Sequence, residues 1–444
     1  MKRLVVLFCY LTIQTIAYAQ NVNHVTLSGK LKGFNNQVLI EDMSEFQYLL
    51  PPTANRIIVP DTAGNFSITF KLLKPNYFRL GRNQLYLSPG DSLTLFIDQA
   101  YPKKSTFKGR GAEANNYLRK TPFPKEASYI EAGTNAKDTP EETLATVEAM
   151  AKLRSAELKS IMNVPAEFRR LEEARIKADL INSLIEGEFY STYRLKLKGE
   201  EEKQYNERYQ KAISEKVRLY TENFADSSFL KLPVYRDVAY RIVKANGKPE
   251  AIEIIKAFLK TQTMVRNMQK QSDKQLLAPF KAEIDQLKIP EYKVAATQMH
   301  HHLMAFGKGD PAADFMALDQ NGKKINLSSL KGKVIYVDLW ATWCGPCMLE
   351  MPSYEKLKQK YADNPNVAFV SLSIDDKEDL WKNSLQQRNA AGIQWLISRS
   401  KLLDYNIVNI PRSLLIDKDF KMVNMVAPKP SEAAAVREIE LLLK

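Results

Sequence analysis

Cysteine is almost missing from these 444 residues: Cys9, Cys344 and Cys347 are all there is. So few thiols exclude a disulfide-stapled scaffold, and they fall short of the four ligands of a structural zinc site. Histidine is as sparse, with four residues, of which His300, His301 and His302 are consecutive. Three neighbours on a regular helix cannot converge on one metal, so no metal site is expected, and the triplet reads as a solvent-facing linker start. Tryptophan occurs four times, as Trp340, Trp343, Trp381 and Trp395, all late in the chain. Beyond the N-terminal segment no apolar run approaches the roughly 20 residues of a membrane span. The formal charge is +13, but no nucleic-acid motif accompanies it. From Phe306 onward 19 basic residues face 17 acidic ones, so most of the excess lies upstream. A solvated basic helical surface explains it; weak, peripheral attraction to anionic lipid head groups or to acidic partners is the alternative.

What the chain does contain falls into four parts. Met1-Lys2-Arg3, an apolar run to Ile16 and Ala17-Tyr18-Ala19 make residues 1–19 a signal peptide, cleaved after Ala19, with an uncleaved anchor as runner-up. Cys9 is a poor lipidation site, because Leu7-Phe8 precede it. Residues 20–111 read as a small antiparallel β-domain of sandwich type, with short alternating runs such as His24–Leu31 and Asn65–Phe70 between turn signals. Leu85–Ile97 reads as a hairpin about Pro89-Gly90-Asp91. Residues 112–305 change to a helical period: Thr139-Pro140-Glu141-Glu142 offers a helix start, and Leu171, Ala174, Ala178, Ile181 and Ile185 mark one apolar face. Aromatic residues here, Phe189 and Tyr193 among them, read as interhelix packing. Residues 306–444 alternate strands and helices, the pattern of an α/β domain.

Chemistry concentrates in Val334-Ile-Tyr-Val-Asp-Leu-Trp-Ala-Thr-Trp-Cys-Gly-Pro-Cys347. A buried strand leads into Cys344-Gly345-Pro346-Cys347, and a helix follows. A thiol at a helix N-terminus sits beside unpaired N–H groups and the positive end of the dipole, so its thiolate is favoured. Cys344 is then the accessible nucleophile, since the thiolate attacks disulfides, and Cys347 resolves the mixed disulfide. Gly345 keeps the turn tight, and Pro346 stands in the first helical turn, where a missing N–H costs nothing. Met348 stands where c-type haem attachment needs histidine. The redox group is therefore the Cys344–Cys347 disulfide itself, with no other cofactor.

Asp314-Phe315, Leu327–Lys333, Trp343–Cys347, Glu350-Met-Pro352, Ser373-Ile-Asp375 and Ile410-Pro411 followed by Leu414–Asp417 run in an order that resembles the TlpA/ResA type of thioredoxin-like envelope oxidoreductase. The β-segment is similar to an uncharacterised β-domain found ahead of such domains in Gram-negative envelope proteins. The resemblance implies a thioredoxin-like fold for 306–444 and a periplasmic address. It implies that Asp338 is the buried acid that moves the proton of Cys347, although Val337 and Leu339 leave either strand alternation open. It implies a cis-proline loop at Ile410-Pro411, facing the dithiol and pairing with an extended substrate. Trp343 flanks the motif toward substrate, and Glu350 tunes proton transfer or is simply solvated. Leu339 and Phe420 depart from the usual pattern. The peroxiredoxin motif is absent, because Val337 and Ala341 occupy its places. The expected partners are protein thiols and disulfides, with a membrane electron donor for re-reduction. Gly-Pro between the cysteines and Ile before the proline resemble reducing thioredoxins; an oxidase, an isomerase or a redox-sensing ligand-binding protein are the competing readings.

Overall fold

The computed structural model describes residues 23–34, 37–52, 56–122, 129–375 and 377–444; the leader expected at 1–19 lies outside them. The described chain forms two compact units. One comprises the residues up to Lys32, Leu39–Gln47 and Ile58–Leu259; the other comprises Gly33–Val38, Tyr48–Ile57 and Lys260–Lys444.

Alternating residues early in the chain form β1 (His24–Lys32), β2 (Val38–Asp42), β3 (Ile57–Ile58), β4 (Asn65–Lys71), β5 (Asn76–Leu80), β6 (Asn83–Leu87), β7 (Ser92–Asp98) and β8 (Thr106–Arg110). They make two four-stranded sheets, ordered β4-β1-β7-β8 and β3-β2-β5-β6. The hairpin expected over Leu85–Ile97 is corrected here. β6 pairs with β5, whereas β7 pairs with β1 and β8, so the turn between them carries the chain from one sheet to the other. Asp91 holds that turn by accepting the Ser88 N–H at 2.7 Å. β1 and β7 run parallel and approach closely at Gly29, where a Cβ would fall 1.8 Å from the Leu95 carbonyl oxygen.

The helical stretch contains α1 (Ala112–Leu118), α2 (Pro140–Ser160), α3 (Ala166–Leu195), α4 (Glu200–Thr221), α5 (Pro233–Ile242), α6 (Pro249–Met268), α7 (Lys274–Leu277), α8 (Phe280–Asp285) and α9 (Pro290–Ala305). Thr139 caps α2, its hydroxyl accepting the Glu142 N–H at 3.2 Å. Leu171, Ala174, Ala178 and Ile181 are buried along α3, and Ile185 is half-buried. Phe189 and Tyr193 do not pack between helices: they stack on each other near the end of α3, 63% and 77% exposed. The histidine triplet is also corrected, since it lies inside α9 and the helical period turns His300 inward, its Nε2 3.0 Å from the Leu277 carbonyl oxygen.

After α9 come β9 (Met316–Asp319), β10 (Lys324–Asn326), β11 (Val334–Trp340), α10 (Gly345–Lys360), β12 (Val367–Ser373), α11 (Glu378–Gln387), β13 (Ile393–Leu396), β14 (Arg412–Ile416), β15 (Met422–Ala427) and α12 (Ala433–Leu443). They build a seven-stranded sheet, ordered β10-β9-β13-β12-β11-β14-β15. β11 lies in the interior of the sheet, parallel to β12 and antiparallel to β14. Its seven residues are all buried, because helices cover both faces. Val334 and Tyr336 pack with Tyr354 and Leu357 of α10 and with Ala435 and Ile439 of α12. Ile335, Val337 and Leu339 pack in a second core with Trp381 and Leu385 of α11. Leu339→Ala should cost this domain about 2–5 kcal/mol. Tryptophan fluorescence during urea unfolding checks it cleanly, since Trp340, Trp343, Trp381 and Trp395 all report from this domain.

Candidate active site

The sheet delivers β11 to a short loop, Ala341–Trp343, and α10 begins at once. Cys344 is the N-cap residue of α10, with extended backbone. Its amide donates to the Ala341 carbonyl at 3.0 Å, and its sulfur accepts the Cys347 N–H at 3.2 Å. The two cysteine sulfurs are bonded to each other. Cys344 is 5% exposed and Cys347 1% exposed, so the nucleophile is less open than the sequence suggests. In this disulfide-bonded state each sulfur shields the other, and Cys344 remains the outer of the two. Around it Trp343 is 64% exposed, and Gly345 and Pro346 also face solvent. Pro346 occupies the first turn of α10, where it forfeits no hydrogen bond.

Asp338 is buried, 2% exposed, in the middle of β11. Two side chains of α10 interact with it electrostatically: the Glu350 charge acts on the Asp338 carboxyl, and Asp338 in turn helps push the Tyr354 hydroxyl up. They lie three and seven residues past Cys347, on the same stripe of the helix, so the carboxyl sits beneath the face that carries Cys347. Burial pushes the Asp338 carboxyl up to about 7; the Ser413 hydroxyl, 3.4 Å away, opposes the rise, and Glu350 adds to it. Glu350 itself is half-buried and accepts the Ser431 N–H at 3.2 Å and the Ser431 hydroxyl at 3.0 Å.

β14 brings the proline loop to the same end of the sheet. Leu339 pairs with Arg412, so Pro411 lies level with the end of β11, next to the cysteine loop. The Ile410–Pro411 peptide is cis, and Ile410 packs half-buried against the core that contains both cysteines. One end of the sheet thus gathers Cys344, Cys347, Trp343, Gly345, Pro346, Ile410 and Pro411, with Asp338 below. Such a group can exchange a disulfide for two thiols. Among the described residues no three His, Cys, Asp or Glu side chains are grouped to hold a metal ion.

The sequence matches the Redoxin family over residues 307–437. Thiol-disulfide oxidoreductase ResA of Bacillus cereus is 36% identical over 119 residues, which are 27% of this chain and 68% of that protein. This chain belongs to the thioredoxin-fold thiol-disulfide oxidoreductases. The ResA protein of Bacillus subtilis is 29% identical over 130 residues, covering 29% of this chain and 72% of its own length. A crystal structure from Bacteroides vulgatus, described as a candidate thiol-disulfide oxidoreductase, is 40% identical and covers 30% of this chain and 96% of that one, with a TM-score of 0.30.

The oxidoreductase site also holds residues that the sequence did not point out. Ser413 bonds to Asp338 only because β14 pairs with β11 in this register. The Arg388 guanidinium lies 4.6 Å from the centre of the buried Trp340 ring and donates to the Met351 sulfur at 3.1 Å. Neither could be found without the register of distant strands and helices.

A raised carboxyl carries a defined pH signature. An unfolded aspartate titrates near ~3.9, so between about pH 4 and 7 the folded domain binds one proton more than the unfolded chain. Stability is then greatest below that window and falls as pH rises through it, by up to ~1.4 kcal/mol per unit. Asp338→Asn should remove this slope, leaving the variant relatively more stable above pH 7 and no better below pH 4. Urea unfolding of both proteins across that range measures it.

Proposed function

We propose that the protein reduces disulfides of other envelope proteins through Cys344 and Cys347. The observation that carries this reading is the Cys344 sulfur at the start of α10, receiving a backbone N–H at 3.2 Å. The helix terminus is worth about 0.3–1 kcal/mol, and up to ~2 in partly buried geometry. That corresponds to ~0.2–0.7 of a pKa unit, and up to ~1.5 at the upper figure, enough to raise the thiolate fraction at neutral pH from about 3% by about two- to fivefold or more.

In the reduced protein the Cys344 thiolate attacks one sulfur of a substrate disulfide. A new S–S bond joins Cys344 to substrate, the old one breaks, and the departing sulfur leaves as a thiolate that takes a proton from water. Cys347 then gives its proton to Asp338 and attacks the Cys344 sulfur. The mixed disulfide breaks, the second substrate thiol is released, and Cys344–Cys347 remains oxidised. Two electrons have passed to the substrate. An acid with its pKa near 7 suits that transfer, being ready to accept and then lose a proton at working pH. Ile410 and Pro411, at the end of the sheet beside the sulfurs, pair with an extended substrate segment, while Trp343, Gly345 and Pro346 form the rim that it meets. Glu350 tunes the proton shared by Asp338 and Cys347.

The rest of the reading follows the sequence. The basic-apolar leader supports a periplasmic address reached through cleavage after Ala19. A periplasmic reductase needs re-reduction, and a membrane-borne dithiol donor supplies it. The division into leader, β-domain, helical domain and thioredoxin-like domain at residues 19, 111 and 305 belongs to this proposal. No described helix is long and apolar enough to cross a membrane.

Insulin-disulfide reduction with dithiothreitol should be catalysed by the protein and abolished in Cys344→Ser, whereas Cys347→Ser should accumulate substrates as mixed disulfides. Equilibration with glutathione should give a potential nearer to about −270 mV than to about −120 mV. Turnover surviving in Cys344→Ser would remove the nucleophile, and a potential at the upper figure would make the protein an oxidant instead.

A further inference from the structure

The cysteine loop is held from below by a second buried carboxyl. Asp375 follows β12, 2% exposed, where the parallel strands β11 and β12 end side by side, Trp340 opposite Ser373. Its carboxylate accepts the Thr342 N–H at 2.9 and 3.1 Å and the Thr342 hydroxyl at 2.7 Å. The Ser373 hydroxyl donates to it at 2.7 Å, and the Asp375 amide donates back to that hydroxyl at 3.0 Å. One residue earlier the Ile374 amide donates to the Trp340 carbonyl at 2.9 Å. Both ends of the Ala341–Trp343 loop are therefore pinned, the middle by Asp375 and the far end by the Cys344 amide on Ala341.

We infer that Asp375 is a positioning residue of the oxidoreductase: through Thr342 it holds the Cys344 sulfur over the first N–H groups of α10. A buried carboxylate must find donors, and here its four described bonds are three from Thr342 of the loop and one from Ser373. The helix terminus acts on a charge only within its first turn. A loop free to shift by a fraction of an ångström would carry the sulfur off the Cys347 N–H, and the thiolate would lose that support. Asp338 serves the proton of Cys347; Asp375 serves the position of Cys344.

This inference rests on the reading of Cys344 as nucleophile, and the test separates the two. The pH profile of Cys344 alkylation by iodoacetamide is followed peptide by peptide on the reduced full chain, for the wild type, Thr342→Val, Thr342→Ser and Asp375→Ala. Thr342→Val removes only the hydroxyl bond on a half-buried residue, so folding is not at stake if Asp375→Ala proves unstable. Expected is a rate at pH 7 lowered at least about threefold in Thr342→Val and more in Asp375→Ala, with the midpoint moved toward that of an ordinary thiol near ~8.5. Thr342→Ser restores the wild-type profile. A low wild-type midpoint that survives unchanged in Thr342→Val and Asp375→Ala overturns the inference alone. A wild-type midpoint already at the ordinary value removes the nucleophile reading beneath it.

Discussion

One hydrogen bond organises this domain: a backbone N–H at the start of a helix, offered to a sulfur 3.2 Å away. A neutral thiol gains little from it, and a thiolate gains more, since bonds to ionised acceptors are about twice as strong. The surrounding architecture can be read as what it takes to keep that sulfur in place. A strand buried on both faces cannot slide, because a shift of one residue would exchange its two cores. It ends where α10 begins, so the rigidity of the sheet is passed to the reacting atoms over three residues. Loops hung from rigid elements are where catalytic groups are commonly found.

Two buried aspartates sit on β11 and just past the end of neighbouring β12, and their surroundings distinguish them. Asp338 lies among apolar side chains with a single long bond from Ser413, and its carboxyl rises to about 7. Asp375 is as deeply buried but takes its bonds from Thr342 and Ser373, which tie it to the cysteine loop. A dry acid is suited to moving a proton, and a fully bonded one to holding a shape. One residue type takes two such different settings at neighbouring strands because burial and hydrogen bonding can be set separately.

The C-terminal fold was legible because its signals are local. A β-branched run, then Cys-Gly-Pro-Cys, then a helix start lie within fourteen consecutive residues. The inward face of Asp338 was not legible in the alternation: β11 is apolar on both sides, so the period of two that would mark the face is erased, and only the resemblance pointed inward. Ser413 and Arg388 escaped notice because their partners are set by register and by helix placement, which no short window contains. The partition of β6 and β7 between two sheets failed for a related reason. A proline-glycine turn marks where the chain bends, but not whether it returns to the strand it left. The histidine triplet shows the converse, since a run that looks like a linker was the last turns of a helix with one ring turned inward.

The chemistry proposed for this domain depends on the charge of one sulfur. With Cys9 and Cys347 replaced by serine, a single thiol remains, and its ultraviolet thiolate absorbance can be titrated in the folded protein and again in urea. The folded midpoint is expected about one unit or more below the unfolded one, at ~7.5 or lower. A folded midpoint equal to or above the unfolded value would contradict it.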